Sequence, residues 1–391
     1  MWMVVFWHIL ANNPSKRTPM KKIILFSILI SLSFSAFAKT GLIEISNPSE
    51  FDRKNELIEV DFSKICKENS KSFIIKDASG QEVPYQIISK KDKPEIILIQ
   101  VSVAGKGKSA YQIVAGKPAP VKARTSGRYI PERKDDFAWE NDLAAYRMYG
   151  PALVKEKPSN GVDLWLKRTS ELIVDTFYHN ELKKGKSYHV DHGKGLDCYK
   201  VGQYLGCGGI APYIDGKLYV HSHYNAWQVL ENGPLRTRFK LTYDTVKING
   251  KVYKQELIIT ADAGSALNKA EVIISGEKTN MNLAAGIFLH DGKGLKKAGK
   301  NFITYAENAV SDAGIPSGRN YVGVVFNSGK ITFSEDKIHS LIISPYKTTT
   351  TFTYYFGGGW SKWQYPTDGD WYKAMEEFAE KVKKPLKIKV K

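Results

Sequence analysis

The sequence predicts a mainly β protein, in which a small N-terminal β-sandwich precedes a large antiparallel β-supersandwich that ends in one C-terminal helix. Three observations predict the β class: apolar residues recur at period two along most of the chain, turn residues interrupt them at sandwich-like spacing, and a single late segment carries helical periodicity.

In chain order, Lys21 and Lys22 precede the apolar run from Ile23 to Phe37, and Ala36-Phe37-Ala38 offers a small-x-small cleavage site. Residues 1–38 therefore read as a secretory signal peptide, with residues 1–19 an upstream start artefact ahead of Met20. Residues 39–116 read as the small sandwich. Its strands centre on Ile43–Ile45, Leu57–Val60, Phe73–Ile75, Ile96–Ile99 and Tyr111–Val114, with a turn at Asp77–Gly80. Residues 117–128, with two prolines and several basic side chains, read as a linker. Residues 129–391 read as the supersandwich, with longer strands at Leu235–Tyr243, Val252–Thr260, Ala270–Ser275, Ala284–Leu289, Tyr321–Phe326, Leu341–Ser344 and Thr350–Phe356. Ile248–Lys251 is a hairpin turn. Trp371, Met375, Phe378, Ala379 and Val382 recur at helical spacing after a cap at Asp370 and before Pro385.

The chain carries 57 basic and 40 acidic side chains. Four of the basic ones (Lys16, Arg17, Lys21, Lys22) and no acidic ones lie in the leader, so the mature surplus is 13. In an exported protein that surplus points to an acidic oligosaccharide or polysaccharide as partner rather than to nucleic acid. No later segment has the length and apolarity of a membrane span. The expected location is periplasmic or secreted; oligomeric state is not legible. Of the three cysteines, Cys198 and Cys207 flank a glycine-rich loop that a disulfide would close, while Cys66 stands apart.

Five of the eight histidines fall between His179 and His223. In an extended strand His189 and Asp191 share one face, and Tyr219, His221 and His223 share a face of another. Two such strands meeting would gather imidazole, carboxylate and phenol for proton transfer at a sugar, so His189, Asp191, Tyr199, Tyr219, His221 and His223 are the candidate catalytic residues. No cofactor is expected; the alternative is a divalent metal on His189, Asp191, His221 and His223. Aromatic and charged groups suited to stacking on sugars and clamping carboxylates add Trp139, Glu140, Arg147, His192, Trp227, Glu231 and Arg236 as candidate substrate-binding residues. Trp360 and Trp363 beside Gly357–Gly359 read as an aromatic rim or as a cover for the helix.

Asn47-Pro48 with Arg53, FAWENDLAAYRMYGP, YHVDHGKGLDCYKVGQYLGCGG, ENGPLR and FGGGWSKW together resemble an uncharacterised family of exported bacterial proteins, a domain of unknown function met among polysaccharide-degradation genes. The resemblance covers nearly all of the mature chain. It implies a glycan context, and its second half resembles the galactose-mutarotase-like supersandwich shared by aldose epimerases and several polysaccharide lyases and hydrolases, without selecting a reaction. The leading expectation is lyase-like β-elimination on a uronate-containing oligosaccharide. There His189 or His221 is base, Tyr219 or Tyr199 acid, and Arg147 or Arg236 the carboxylate clamp. A sugar epimerase or mutarotase using a histidine with Glu231 or Asp191, a glycoside hydrolase, and a non-catalytic glycan binder relying on Trp139, Trp227 and Trp360 are the alternatives.

Overall fold

The computed structural model describes residues 39–65, 72–90, 93–156, 161–202 and 205–391. The expected leader (1–38) and Cys66 lie outside the described residues. Period-two burial is plain in strands such as Phe73–Lys76 and Arg236–Tyr243, where alternate side chains turn inward.

The first sandwich packs a five-stranded sheet, ordered Lys387–Val390, Lys39–Ser46, Lys108–Ala115, Phe73–Lys76 and Glu82–Val83, on a three-stranded sheet ordered Arg53–Asp61, Lys93–Val103 and Tyr85–Lys90. Ile43, Ile45, Ile58, Ile75, Ile97, Ile99 and Ile113 fill the space between them. Its outermost strand comes from the far end of the chain: Ile388 and Val390 pair with Ile45 and Ile43. The boundary drawn at residue 116 is therefore crossed, since the end of the 129–391 segment completes the first sandwich.

The large sandwich sets an eight-strand row, with Val246–Ile248 as a ninth strand beside it, against a five-stranded sheet built on Cys207–Ile214, Asn280–Phe288 and His339–Lys347. A further five-stranded sheet, ordered Gly195–Asp197, Val162–Lys167, Ala144–Met148, Asp136–Asn141 and Thr125–Ile130, also packs on the long sheet and shares its core. Thr125–Ile130 lies partly inside the expected linker, which is thus a loop of 117–124 only. Close sheet contact requires glycine at two places. A Cβ at Gly358 would stand 2.5 Å from Leu164, and one at Gly323 2.5 Å from Met375 of the C-terminal helix.

That helix, Asp368–Lys383, begins earlier than its apolar repeat suggests. Thr367, not Asp370, is the cap: its hydroxyl accepts from the Asp370 amide at 3.2 Å, and the Asp370 carboxylate accepts from the Thr367 amide at 3.0 Å. Trp371, Met375 and Ala379 bury against Phe302, Tyr321 and Val325. A second helix, Val174–Lys184, was not expected. Its signals are present in Val174, Phe177 and Tyr178 on one face, Lys183 and Lys184 in the last turn, and Gly185 in a left-handed C-terminal cap.

Arg236 joins the sandwiches. Its guanidinium donates to Asp262 at 2.6 and 2.8 Å and to Glu59 of the first sandwich at 2.5 Å, while Gln86 accepts from the Leu235 and Arg236 amides. Arg236→Met should cost about 1–3 kcal/mol in chemical denaturation, because it leaves Asp262 half-buried and unpaired, whereas Glu59→Gln, at a more exposed partner, should cost under ~1 kcal/mol. Equal, negligible losses in both variants would remove Arg236 as the strut.

Candidate functional site

The middle sheet is organised by a buried cation. Arg147 Nη2 donates to Asp163 at 2.7 Å, Asp197 at 2.8 Å and the Tyr149 hydroxyl at 2.9 Å; Nη1 reaches the Tyr188 hydroxyl at 3.2 Å and stands 4.0 Å from Asp136. Burial works to lower the Arg147 pKa, but Tyr149, Asp163 and Asp197 outweigh it and hold it well above its ordinary value. Burial, then Asp163, push Asp197 well above the usual carboxylate range, and burial pushes Asp136 up to about 6 against the pull of Arg147 and Arg133. Arg147 is thus buried and engaged through both terminal nitrogens, while its Nε meets no partner among the described residues.

The expected meeting of two histidine strands does not occur. Residues 188–192 form a turn after the helix Val174–Lys184, and residues 219–223 lead irregularly into the strand Tyr224–Asn232. Asp191 closes its turn by accepting from the Gly193 and Gly195 amides and pairs with Arg168 at 3.1 Å. Exposed His192 donates from Nε2 to the Ser187 carbonyl at 2.9 Å. His221 and His223 are buried elsewhere: His221 lies edge-on to Tyr243, and burial pushes its pKa down to about 4. Tyr219 is half-buried beneath the Lys217 ammonium. Among the described residues, no three His, Cys, Asp or Glu side chains are grouped to hold a metal ion, and Cys198 and Cys207 are both free thiols.

Most of the expected substrate-binding residues are architectural. Trp139 is fully buried and donates to Asn268 at 3.1 Å. Glu140 is buried, pairs with Lys167 at 2.7 Å and accepts from the Ile173 and Val174 amides at the start of the helix Val174–Lys184. Trp360 is buried too and donates to the Ser317 carbonyl, so it forms no rim. Trp227 is 44% exposed and stacks on Tyr129 at 5.0 Å. Glu231 stands opposite Arg238 at the edge of the long sheet, its carboxyl raised by burial against the Arg238 and Arg236 charges.

A cleft of about 380 Å³ opens where the turn after Asp197 meets the strand Phe302–Val310; Cys198, Lys200, His290, Lys293, Glu307 and Asn320 are among its lining. His290, Glu307 and Asn320 are not among the residues that the sequence pattern singles out. The available signal was His290-Asp291-Gly292, a histidine in a turn between two apolar strands. His290 has φ 45°, a left-handed conformation unusual for a residue with a Cβ. Two ring contacts hold it there: Nε2 lies 2.8 Å from the Lys200 carbonyl and Nδ1 2.8 Å from Glu307 Oε1. A carbonyl only accepts, so Nε2 donates to it. Asn320 donates to Glu307 at 3.1 Å, and its own Oδ1, buried in the cleft lining, meets no donor among the described residues. Tyr199 packs edge-on to His290 with its phenol buried and held well above its ordinary pKa.

His189 does not line this cleft but lies near Lys200, which does, through Asp312. Its Nδ1 lies 3.0 Å from the Asp197 carbonyl, which fixes the hydrogen on Nδ1 and leaves the neutral ring's lone pair on Nε2, which meets no partner among the described residues. The same nitrogen is 3.7 Å from Asp312, which pairs with Lys200 of the cleft at 3.2 Å.

Comparison with known families decides the relationship. The chain belongs to the family described as a domain of unknown function (DUF4861), whose model matches residues 45–388. Uncharacterized protein P7 of Formosa agariphila is 29% identical over 398 residues, covering 94% of this chain and 99% of that one. Among solved structures, an alpha-mannosidase from Enterococcus faecalis V583 aligns with 90% of this chain at 7% identity and TM-score 0.42. A protein in the glycosyl hydrolase family 38 from Enterococcus faecalis does so at 8% and 0.41. The chain spans about half the length of those two structures, 46% and 47%.

Within this DUF4861 protein, the segments that carry the family resemblance serve mainly to fasten sheets. Asn141 donates to the Asp262 and Ser265 carbonyls, Asp142 accepts from Arg124 and the Gly264 amide, and the Asn232 carbonyl oxygen accepts from the Gly127 amide.

Buried neutral His221 sets a pH dependence. Its folded pKa of about 4 lies below the ordinary 6.5, so the unfolded chain binds more protons between those values. Stability is fully present above pH ~6.5 and is lost as pH falls toward ~4, by on the order of 2–3 kcal/mol. His221→Gln should flatten that part of the stability–pH curve measured by urea unfolding. An unchanged slope would place the loss on other groups.

Proposed function

We propose that this protein is an exported carbohydrate-active enzyme that cleaves uronate-containing oligosaccharide by β-elimination, with His189 as the base. The observation that carries this reading is the tautomer: the Asp197 carbonyl holds the proton on Nδ1, so Nε2 is a basic, partly exposed lone pair beside a polar cleft. His221, the other candidate base, is buried away from it.

The cleft suits the chemistry of an acidic sugar. Asn320 donates to Glu307 and helps hold that carboxylate at the cleft. Lys293 opposes the uronate carboxylate and lowers the cost of carbanion character at the adjacent carbon. His189 Nε2 takes the proton from that carbon, the bond to the leaving oxygen breaks, and the Lys200 ammonium supplies the proton to that oxygen. His290 is a positioning residue: both its nitrogens are engaged, and it holds Glu307 and the Lys200 backbone in place. Export is proposed from the basic-apolar-small pattern of residues 21–38.

The test incubates the protein with a panel of uronate oligosaccharides and follows the ultraviolet absorbance of the conjugated double bond that elimination creates. His189→Ala should lower turnover at least ~100-fold with thermal stability nearly unchanged. Full turnover in that variant would remove His189 as base, and cleavage products lacking the double bond would remove elimination.

A further inference from the structure

The first sandwich presents a second surface, built by the return of the chain's last strand. The pairing register sets residues directly across three strands onto one face: Lys108, Ser46 and Lys387 form one row, and Ala110, Glu44 and Lys389 the next. Ile43 and Ile45 point the other way into the core, so this face looks outward. Ser46, Ala78 and Ala110 floor a depression of about 660 Å³, and Lys108, Lys387 and Lys389 rise around it, all exposed.

The charge there is uncompensated. Glu44 is the only acid in the lining, and Lys391 holds it at 2.5 Å; that hydrogen bond first, with Lys391, Lys389 and Lys108 charges after it, lowers its pKa. Lys108, Lys387 and Lys389 have no carboxylate within ion-pair distance among the described residues. Strand and residue spacings put these three ammonium stems roughly 7–12 Å apart.

We propose that the outer face of the strands Lys387–Val390, Lys39–Ser46 and Lys108–Ala115 is a docking surface for acidic polysaccharide, separate from the cleft. Three fixed cations over a shallow, small-residue floor fit a flat polymer bearing repeated carboxylates or sulfates. The lining has no aromatic ring on which a nucleic-acid base could stack. Ile388 is its only large apolar side chain, too little to anchor in a lipid surface.

The test measures binding of polygalacturonate, neutral dextran, single-stranded DNA and anionic phosphatidylserine vesicles to the full chain, to Lys108→Ser/Lys387→Ser/Lys389→Ser and to the charge-matched control Lys247→Ser/Lys254→Ser/Lys330→Ser, whose lysines are exposed elsewhere. Circular dichroism checks that both variants fold. The Lys108/Lys387/Lys389 variant should lose at least ~10-fold in polygalacturonate affinity at low salt and show a shallower salt dependence, while the charge-matched control loses far less. Binding to dextran should be weak throughout. Unchanged affinity in the folded Lys108/Lys387/Lys389 variant overturns the proposal, as does an equal loss in the charge-matched control, or DNA or vesicle binding as tight as that of polygalacturonate. Because this readout is binding away from the cleft, it stands or falls apart from the elimination chemistry.

Discussion

The Arg147 guanidinium sits 1% exposed among Asp136, Asp163 and Asp197, so the middle sheet must hold its strands wherever those carboxyls can reach one cation. The four residues lie on four of the sheet's five strands, Asp136–Asn141, Ala144–Met148, Val162–Lys167 and Gly195–Asp197. Removing the Arg147 cation would leave its carboxyls without their common partner in a low-dielectric interior, a loss of several kcal/mol, so the network fixes register as firmly as apolar packing does. Trp165, Tyr149 and Tyr188 wall the guanidinium in with their rings.

From that network the constraint runs outward to the cleft. Asp197 belongs to the cluster through its side chain and to His189 through its carbonyl, so the short strand that neutralises Arg147 also sets the imidazole tautomer. Cys198 and Lys200 follow directly in sequence and line the cleft; the Lys200 carbonyl then receives His290. A buried ion cluster, a surface base and a strained histidine are thereby linked through four consecutive residues, 197–200. The cleft's polar groups are ordered from within, the preorganisation that the proposed elimination would call on.

The β class was legible because alternation is a local property: Ile43-Glu44-Ile45 and Arg236-Thr237-Arg238 carry it on their face. The candidate site was less so. His189 was picked out by composition, yet its assumed partners Asp191, His221 and His223 came from extending a strand through residues that the glycines at 193 and 195, both at positive φ, turn into a loop. Glu307 and Asn320 lie over a hundred residues away in sequence, and only the pairing of Phe302–Val310 with Pro316–Phe326 brings them under His290. Trp139, Glu140 and Arg147 illustrate the opposite error. Aromatic and charged residues close together resemble a sugar site, but here each finds its partner inside the protein: Asn268, Lys167 and the aspartates. The Lys167–Glu140 pair also sets the start of a helix that the strand-dominated pattern had concealed.

The central claim is that the Asp197 carbonyl makes His189 a base at Nε2. The most direct measurement is the nitrogen-15 spectrum of histidine-labelled protein, at a pH where His189 is neutral and with its resonances assigned by His189→Gln. The account predicts a protonated, pyrrole-type signal from His189 Nδ1 and an unprotonated, pyridine-type signal from Nε2. The reverse tautomer, or rapid averaging between the two, would contradict it.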